Sequence, residues 1–193
     1  MRSFFALVSR MKYINRWALM RSTRNESLSE HTLEVAMLAH GLAVIGNTYF
    51  GKRYDASRAA LVALYHDASE IITGDMPTPI KYHNPGLSAA YKSLEKETEA
   101  KLLSMLPPEM QGEFAPLISP EKDEILKLVK AADKLSAYIK CVEEEKSGNR
   151  EFSAAKKTLL GALAECEMPE VTYFLDTFME GYGKTLDALT AEE

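Results

Sequence analysis

Two segments of this 193-residue chain are apolar on almost every face that a helix can present: VAMLAHGLAVI at 35–45 and AALVALYHDASEII at 59–72. A surface helix keeps a polar side, whereas helices apolar all round belong at the centre of a bundle. Sustained period-2 alternation rich in Val, Ile and Thr is scarce, so no segment competes as a strand. The expected fold is therefore all-α, a single-domain multi-helix bundle with its core on residues 30–75 and 120–145.

Punctuation residues divide the chain further. Ser27 and Glu30 fit the S-x-x-E capping box, predicting a helix that runs to about Ile45 and stops at Gly46-Asn47. A second is predicted from near Asp55 to about Ile72, closed by Thr73-Gly74. Asn84-Pro85 opens a third, which ends at Leu106 before Pro107-Pro108. Ser119-Pro120-Glu121 reads as cap, first-turn proline and dipole-favoured acid, starting a fourth helix that ends at Ser147-Gly148-Asn149. Two more are predicted near Glu151–Cys166 and Glu170–Leu189, and a short one near residues 3–11. No linker or repeat divides the chain, and its length suits one domain. The expectation is one domain over 1–193, with a chemical core at about 27–145 and C-terminal helices at about 150–190.

Charge excludes some functions. The net charge is −5, which disfavours a protein that coats DNA or RNA. The first 25 residues nevertheless hold six basic side chains and no acidic one, leaving 17 basic against 28 acidic in the rest. Cys141 and Cys166 stand alone, which excludes a disulfide framework or zinc ribbon and suits a reducing cytosol. The apolar run Phe4–Val8 is shorter than the roughly 7–15 residues of a signal-peptide core. Val35–Gly51 contains His40, Asn47 and Thr48, so it does not read as a membrane span. A cytoplasmic location is expected.

Against this apolar background a few polar residues stand out. His66-Asp67 follows AALVALY directly and is expected on a buried helix, where such a pair is costly unless a metal ion or a dense hydrogen-bond network compensates it. Glu70 lies four residues after His66 and three after Asp67, near the same helix face. His31 lies one turn into the other buried helix, and Asp133 sits midway along the fourth. Two imidazoles and two carboxylates suit a divalent transition metal with positions left open for water and substrate. Taken singly, each has a plainer reading: a helix histidine is more often hydrogen-bonded in a core, and Asp133 near Lys130 and Lys134 fits a solvated face.

The order H…HD…D resembles the signature of the HD-domain metal-dependent phosphohydrolases. Four longer matches, NRWALM (15–20), SEHTLEVA (29–36), LYHDASEIITGDMPTPIKY (64–82) and KAADKLSAYIKC (130–141), resemble the bacterial 5′-deoxynucleotidase branch, whose members remove phosphate from deoxyribonucleoside 5′-monophosphates. The resemblance spans about residues 3–145 in order.

It implies one divalent metal, cobalt or manganese, held by His31, His66, Asp67 and Asp133, with a metal-bound water as nucleophile. Glu70 is the candidate for orienting or deprotonating that water. Asp75 is the candidate for holding a metal-bound water or protonating the departing 5′-oxygen; as a bare sequence feature it is equally a turn residue beside Gly74. Phosphate needs cations, for which Arg16, Lys81 and Lys134 are available. Trp17, the only tryptophan, is either core or a wall beside the sugar that disfavours a 2′-hydroxyl. Thr78 completes a substrate-binding set with Arg16, Trp17, Asp75 and Lys81. His40 falls roughly opposite His31 on its helix and reads as structural. His83 reads as an exposed loop residue, and LEKETEAKLL (94–103) as a solvated face. A homodimer is expected from the resemblance. The alternatives are another HD-type activity, a nucleotide pyrophosphohydrolase or phosphodiesterase, and a non-catalytic nucleotide-binding scaffold.

Overall fold

The computed structural model describes residues 3–81 and 83–191, with the side chains of Thr78 and Pro79 outside the described set. Among the described residues the chain is helical, and its one β pairing is an isolated bridge between Asn15 and Ser27. Helix α1 (Phe4–Val8) runs into a 3₁₀ turn at Ser9–Tyr13. Helix α2 (Leu28–Tyr49) begins at the expected capping box: the Ser27 hydroxyl accepts the Glu30 N–H at 3.2 Å, and the Glu30 carboxylate accepts the Ser27 N–H at 2.8 Å.

Helix α2 continues past the expected stop at Gly46. That glycine serves a close approach, because a Cβ there would lie 2.7 Å from the Tyr54 ring. Gly51, at φ +64°, turns the chain after the helix has ended. Helix α3 (Ala56–Tyr65) starts on Asp55, whose carboxylate accepts the Arg58 N–H at 2.9 Å.

The expected unbroken helix to Ile72 is corrected by the structure. Residues His66–Ser69 form a tighter turn with i→i+3 bonds, Ala68 N–H to Tyr65 carbonyl at 3.0 Å and Glu70 N–H to Asp67 carbonyl at 3.0 Å. The His66 imidazole takes the Ala63 carbonyl at 2.7 Å, and that oxygen also accepts the His66 backbone N–H at 3.4 Å. Hydrophobic periodicity does not register a side chain bonding back to its own helix. Helix α4 (Glu70–Thr73) then resumes and ends at Gly74, φ +71°.

Helices α5 (Thr78–Lys81) and α6 (Pro85–Ser104) follow, the latter capped by Asn84 as expected. Helix α7 (Pro108–Ile118) was not expected; Pro107-Pro108 ends one helix and, with proline at a first-turn position, starts another. Ser119 consequently closes α7, its N–H bonding the Ala115 carbonyl, and Asp123 caps helix α8 (Glu124–Lys146) in its place. Helices α9 (Ser153–Ala164), α10 (Pro169–Phe178) and α11 (Leu186–Thr190) complete the chain; a 3₁₀ segment at Met179–Gly183 interrupts the helix expected over 170–189.

The core lies where α2, α3 and α8 meet, with Val35, Leu42, Val62, Leu128, Leu135 and Ile139 excluded from water and α10 adding Val171 and Phe174. Each such side chain contributes about 1.5–3 kcal/mol by burial. A second cluster joins Phe4, Leu102, Leu106 and Ile118 to Ala68, which lies inside the His66–Ser69 turn. Packing on Ala68 therefore fixes the turn that carries the histidine and aspartate. Helix α2 is central as expected, yet Leu33, Met37 and Val44 form one exposed stripe along it. No described helix is long and apolar enough to cross a membrane.

Candidate active site

The elements of the core bring His31, His66, Asp67 and Asp133 together. His31 is fully buried in the first turn of α2, His66 and Asp67 occupy the turn after α3, and Asp133 lies midway along α8. Ligand-type atoms of His31, His66 and Asp133 lie within 4.8 Å of one another. Asp133 Oδ1 is 3.1 Å from His31 Nε2 and 4.0 Å from His66 Nε2. Asp67 Oδ2 is 3.6 Å from His31 Nε2 and 3.1 Å from His66 Nε2. Neither buried Nε2 has an aligned hydrogen-bond partner. Donor atoms around one cation at bonds of about 2.0–2.2 Å stand roughly 3–3.5 Å apart, so this spacing fits a divalent ion.

The other ring nitrogens are already committed. His66 Nδ1–H donates to the Ala63 carbonyl at 2.7 Å. His31 Nδ1 faces Ser136 Oγ at 3.1 Å and Glu26 Oε1 at 3.4 Å. The Ser136 hydroxyl donates to Glu34 at 2.5 Å, so its oxygen accepts the His31 Nδ1–H. Each Nε2 is thereby the atom left to take a proton or a metal. Burial lowers the proton affinity of His66, but Asp67 and Asp133 outweigh it and push its pKa up to about 9. Burial likewise opposes ionisation of Asp67, yet His66, His31 and Arg16 hold it well below the usual carboxylate range. Both shifts mark a place that favours positive charge.

Arg16 reaches this cluster from an irregular segment. Its N–H bonds the Glu26 carbonyl at 2.9 Å beside the Asn15–Ser27 bridge, and its Nη1 lies 3.5 Å from Asp67 Oδ2. Asp133, Asp67, Glu26 and Asp75 raise its pKa against the cost of burial, so it is a permanent cation. Trp17 holds φ +59°, a left-handed conformation that costs a non-glycine residue about 1–3 kcal/mol. Its backbone N–H faces the Asp75 carboxylate, and its indole N–H donates to Glu26 Oε2 at 2.9 Å.

Glu70 is buried, with Oε2 unpartnered. Burial and the negative charges of Asp67 and Asp75 push its pKa up to about 9, while Arg16 and Lys81 pull the other way. Burial and Asp67 also raise Asp75, with Arg16 and the Trp17 N–H opposing.

Other expected residues fall elsewhere or are already engaged. Lys81 binds Glu95 at 2.9 Å and stands over the Tyr91 ring. The Lys134 ammonium points at Cys166 Sγ, 3.7 Å away, which removes it from the candidate phosphate cations. The Thr78 side chain lies outside the described ones. His40 and His83 are exposed. Sequence reasoning missed Glu26, Ser136 and Glu34. Glu26 directly precedes the cap residue Ser27, and nothing in its spacing signals that its side chain faces Arg16, Trp17 and His31.

Residues 3–182 match the model of a family described as YfbR-like 5′-deoxynucleotidase. The chain is 50% identical to 5′-deoxynucleotidase yfbR of Photorhabdus temperata, over 100% of this chain and 98% of the relative. It is 49% identical to 5′-deoxynucleotidase VV1113 of Vibrio vulnificus, over 97% of each. Among solved structures, an HD-domain phosphohydrolase from Listeria innocua superposes with a TM-score of 0.80 at 24% identity, covering 93% of this chain and 88% of that one. An HD phosphohydrolase of cyanophage S-2L, bound to dA and one catalytic Zn²⁺ ion, superposes with a TM-score of 0.67 at 20% identity, covering 91% and 96%. At these identities the solved structures establish the all-α fold.

Proposed function

From the premise that this chain belongs to the YfbR-like 5′-deoxynucleotidase family, we propose that His31, His66, Asp67 and Asp133 hold one divalent cation, with cobalt or manganese as the working metal. The protein is a metal-binding hydrolase that converts deoxyribonucleoside 5′-monophosphates to deoxyribonucleosides and phosphate. One observation carries the site reading: two buried imidazole Nε2 atoms, flanked by two carboxylates, have no aligned partner of their own. A buried polar atom left unpaired costs about 1–3 kcal/mol, and a shared cation removes that penalty at both rings.

When bound, a divalent ion supplies a Lewis acid for a phosphoryl oxygen and a water whose pKa falls from 15.7 to about 7. Arg16 offers its guanidinium fork to the phosphate oxygens, and its contact with Asp67 keeps that fork beside the ligand cluster. Lys81 adds positive charge on the side of Glu70. Glu70 takes the proton from the attacking water; its raised proton affinity moves toward neutrality as positive charge enters the site. Asp75, whose carboxyl also has a raised proton affinity, returns a proton to the departing 5′-oxygen. Trp17 stands against the sugar, its backbone N–H facing Asp75, and Thr78 lies on the same stretch of chain as that aspartate.

The same reading treats residues 1–193 as one domain, supported by the core that α2, α3 and α8 share with α10. A cytoplasmic setting is supported by the unpaired Cys141 and Cys166, which suit a reducing compartment. A homodimer is supported by the uncovered Leu33–Met37–Val44 stripe of α2. Phosphate release from all four deoxyribonucleoside monophosphates and their ribonucleotide counterparts, with and without chelator, tests the assignment. Chelator-sensitive release favouring the deoxy series is expected; equal turnover of both series would remove the sugar preference.

A further inference from the structure

The segment bearing Arg16 and Trp17 belongs to no helix, so something else must hold it. Two backbone bonds stitch it to the stretch before α2, Arg16 N–H to the Glu26 carbonyl at 2.9 Å and Leu28 N–H to the Ile14 carbonyl at 2.8 Å. The Arg16 and Trp17 side chains share one carboxylate, while Arg16 Nη1 also lies 3.5 Å from Asp67. Glu26 Oε2 accepts the Trp17 Nε1–H at 2.9 Å, while Oε1 lies 3.5 Å from Arg16 Nε and 3.4 Å from His31 Nδ1. The Glu26 side chain is 14% exposed, so water competes little for these contacts. Trp17 also has the strained backbone described above, and Phe152 meets its ring edge-on at 5.2 Å.

We infer that Glu26 is a positioning residue that sets the Trp17 indole and the Arg16 guanidinium in register, and that through the indole it sets the preference for 2′-deoxyribose. The inference rests on the reading in which Trp17 walls the sugar and Arg16 receives the phosphate. An indole has one N–H, and Glu26 is its acceptor. Without that acceptor the N–H is left unpaired and the ring swings about its side-chain torsions. An apolar wall rejects an added hydroxyl only modestly, about 100-fold, so the outcome depends on where the wall stands. A wall that swings admits the ribonucleotide.

Because Trp17 is the sole tryptophan, indole fluorescence reports on this one side chain. The experiment compares wild type with Glu26→Ala, Glu26→Asp, Glu26→Gln and Trp17→Phe. It measures the deoxy-to-ribo ratio of kcat/KM, acrylamide quenching of the indole and thermal unfolding. Glu26→Ala should lower the ratio about tenfold and make the indole more quenchable. Glu26→Asp, one methylene too short to reach the indole, should do the same and serves if the alanine variant fails to fold. In Glu26→Gln the amide oxygen still accepts the indole N–H, so ratio and quenching should hold while KM rises as Arg16 loses its counter-charge. If Trp17→Phe collapses the ratio while Glu26→Ala and Glu26→Asp leave ratio and quenching unchanged, the role of Glu26 is overturned. If Trp17→Phe itself leaves the ratio unchanged, the sugar-wall reading fails, and the inference built on it falls as well.

Discussion

The two halves of the candidate site are built differently. His31, His66, Asp67 and Asp133 stand on α2, the turn after α3, and α8, elements locked by a water-free apolar core. Arg16, Trp17 and Asp75 stand on irregular chain, where polar contacts and one strained backbone conformation replace packing. The first half keeps its geometry through dispersion and burial, which do not titrate and are not screened as ion pairs are. The second keeps it through a few charge-assisted bonds, each separately breakable. Rigid helices thus present the atoms that gather a cation, while the segment that meets the variable part of a substrate is tied down one contact at a time.

The sharpest way to break this contrast is at His66. His66→Ala should remove metal and activity together, by more than about 100-fold, since losing even an outer partner of a ligand costs 10- to 100-fold. Metal content by mass spectrometry checks this, and full metal retention would move the cation elsewhere. Glu70→Gln should keep the metal and lose about 10²–10⁴ in kcat; near-wild-type turnover would reduce Glu70 to scaffolding. Arg16→Lys keeps the charge but loses the bidentate fork, so KM should rise about tenfold with metal affinity unchanged, as measured by titration.

The smallest effect lies at the clasp of the irregular half. Glu144 on α8 accepts the Thr23 N–H at 2.9 Å and binds Lys140 at 2.6 Å, and Lys140 reaches the Arg24 carbonyl at 2.8 Å. Burial opposes its ionisation, but Lys140, Thr23 and Asn149 hold its pKa at about 2. A carboxyl depressed on folding stabilises the native state above its unfolded value, here about 4.5, and that contribution is lost as pH falls towards about 2. Glu144→Gln should therefore cost about 1–3 kcal/mol in urea unfolding at pH 7. The gap from wild type should narrow steadily below about pH 4.5. A gap that stays constant to pH 2.5 would show that the clasp does not depend on charge.

How far each half could be read in advance follows from the same contrast. The convergence of His31, His66 and Asp133 was legible only through the family resemblance, whereas the caps Ser27–Glu30 and Asn84 and the end of α8 at Ser147 rest on local chemistry or long periodic stretches. Such signals survive in the bare chain because a cap or an apolar face needs only its neighbours within a turn or two. The break at His66–Ser69, helix α7 and the cap at Asp123 were not legible in that way. The first depends on an imidazole bonding its own carbonyl. The last depends on which of two plausible caps meets its surroundings: Asp123 also binds Arg58 at 2.6 Å, a partner 65 positions away.

The sequence by itself therefore determined the helical class, the central place of α2 and α3, and the donor types able to gather a divalent ion. Hydrophobic pattern and residue chemistry are properties of the chain itself, readable within a turn or two of each residue. Only the tertiary structure decided that Glu26 faces Arg16, Trp17 and His31, that Lys134 turns to Cys166, and that Trp17 sits at φ +59°. Those facts depend on side-chain directions between segments remote in sequence, where a polar contact carries no periodic signal and appears only when the core has set the segments side by side.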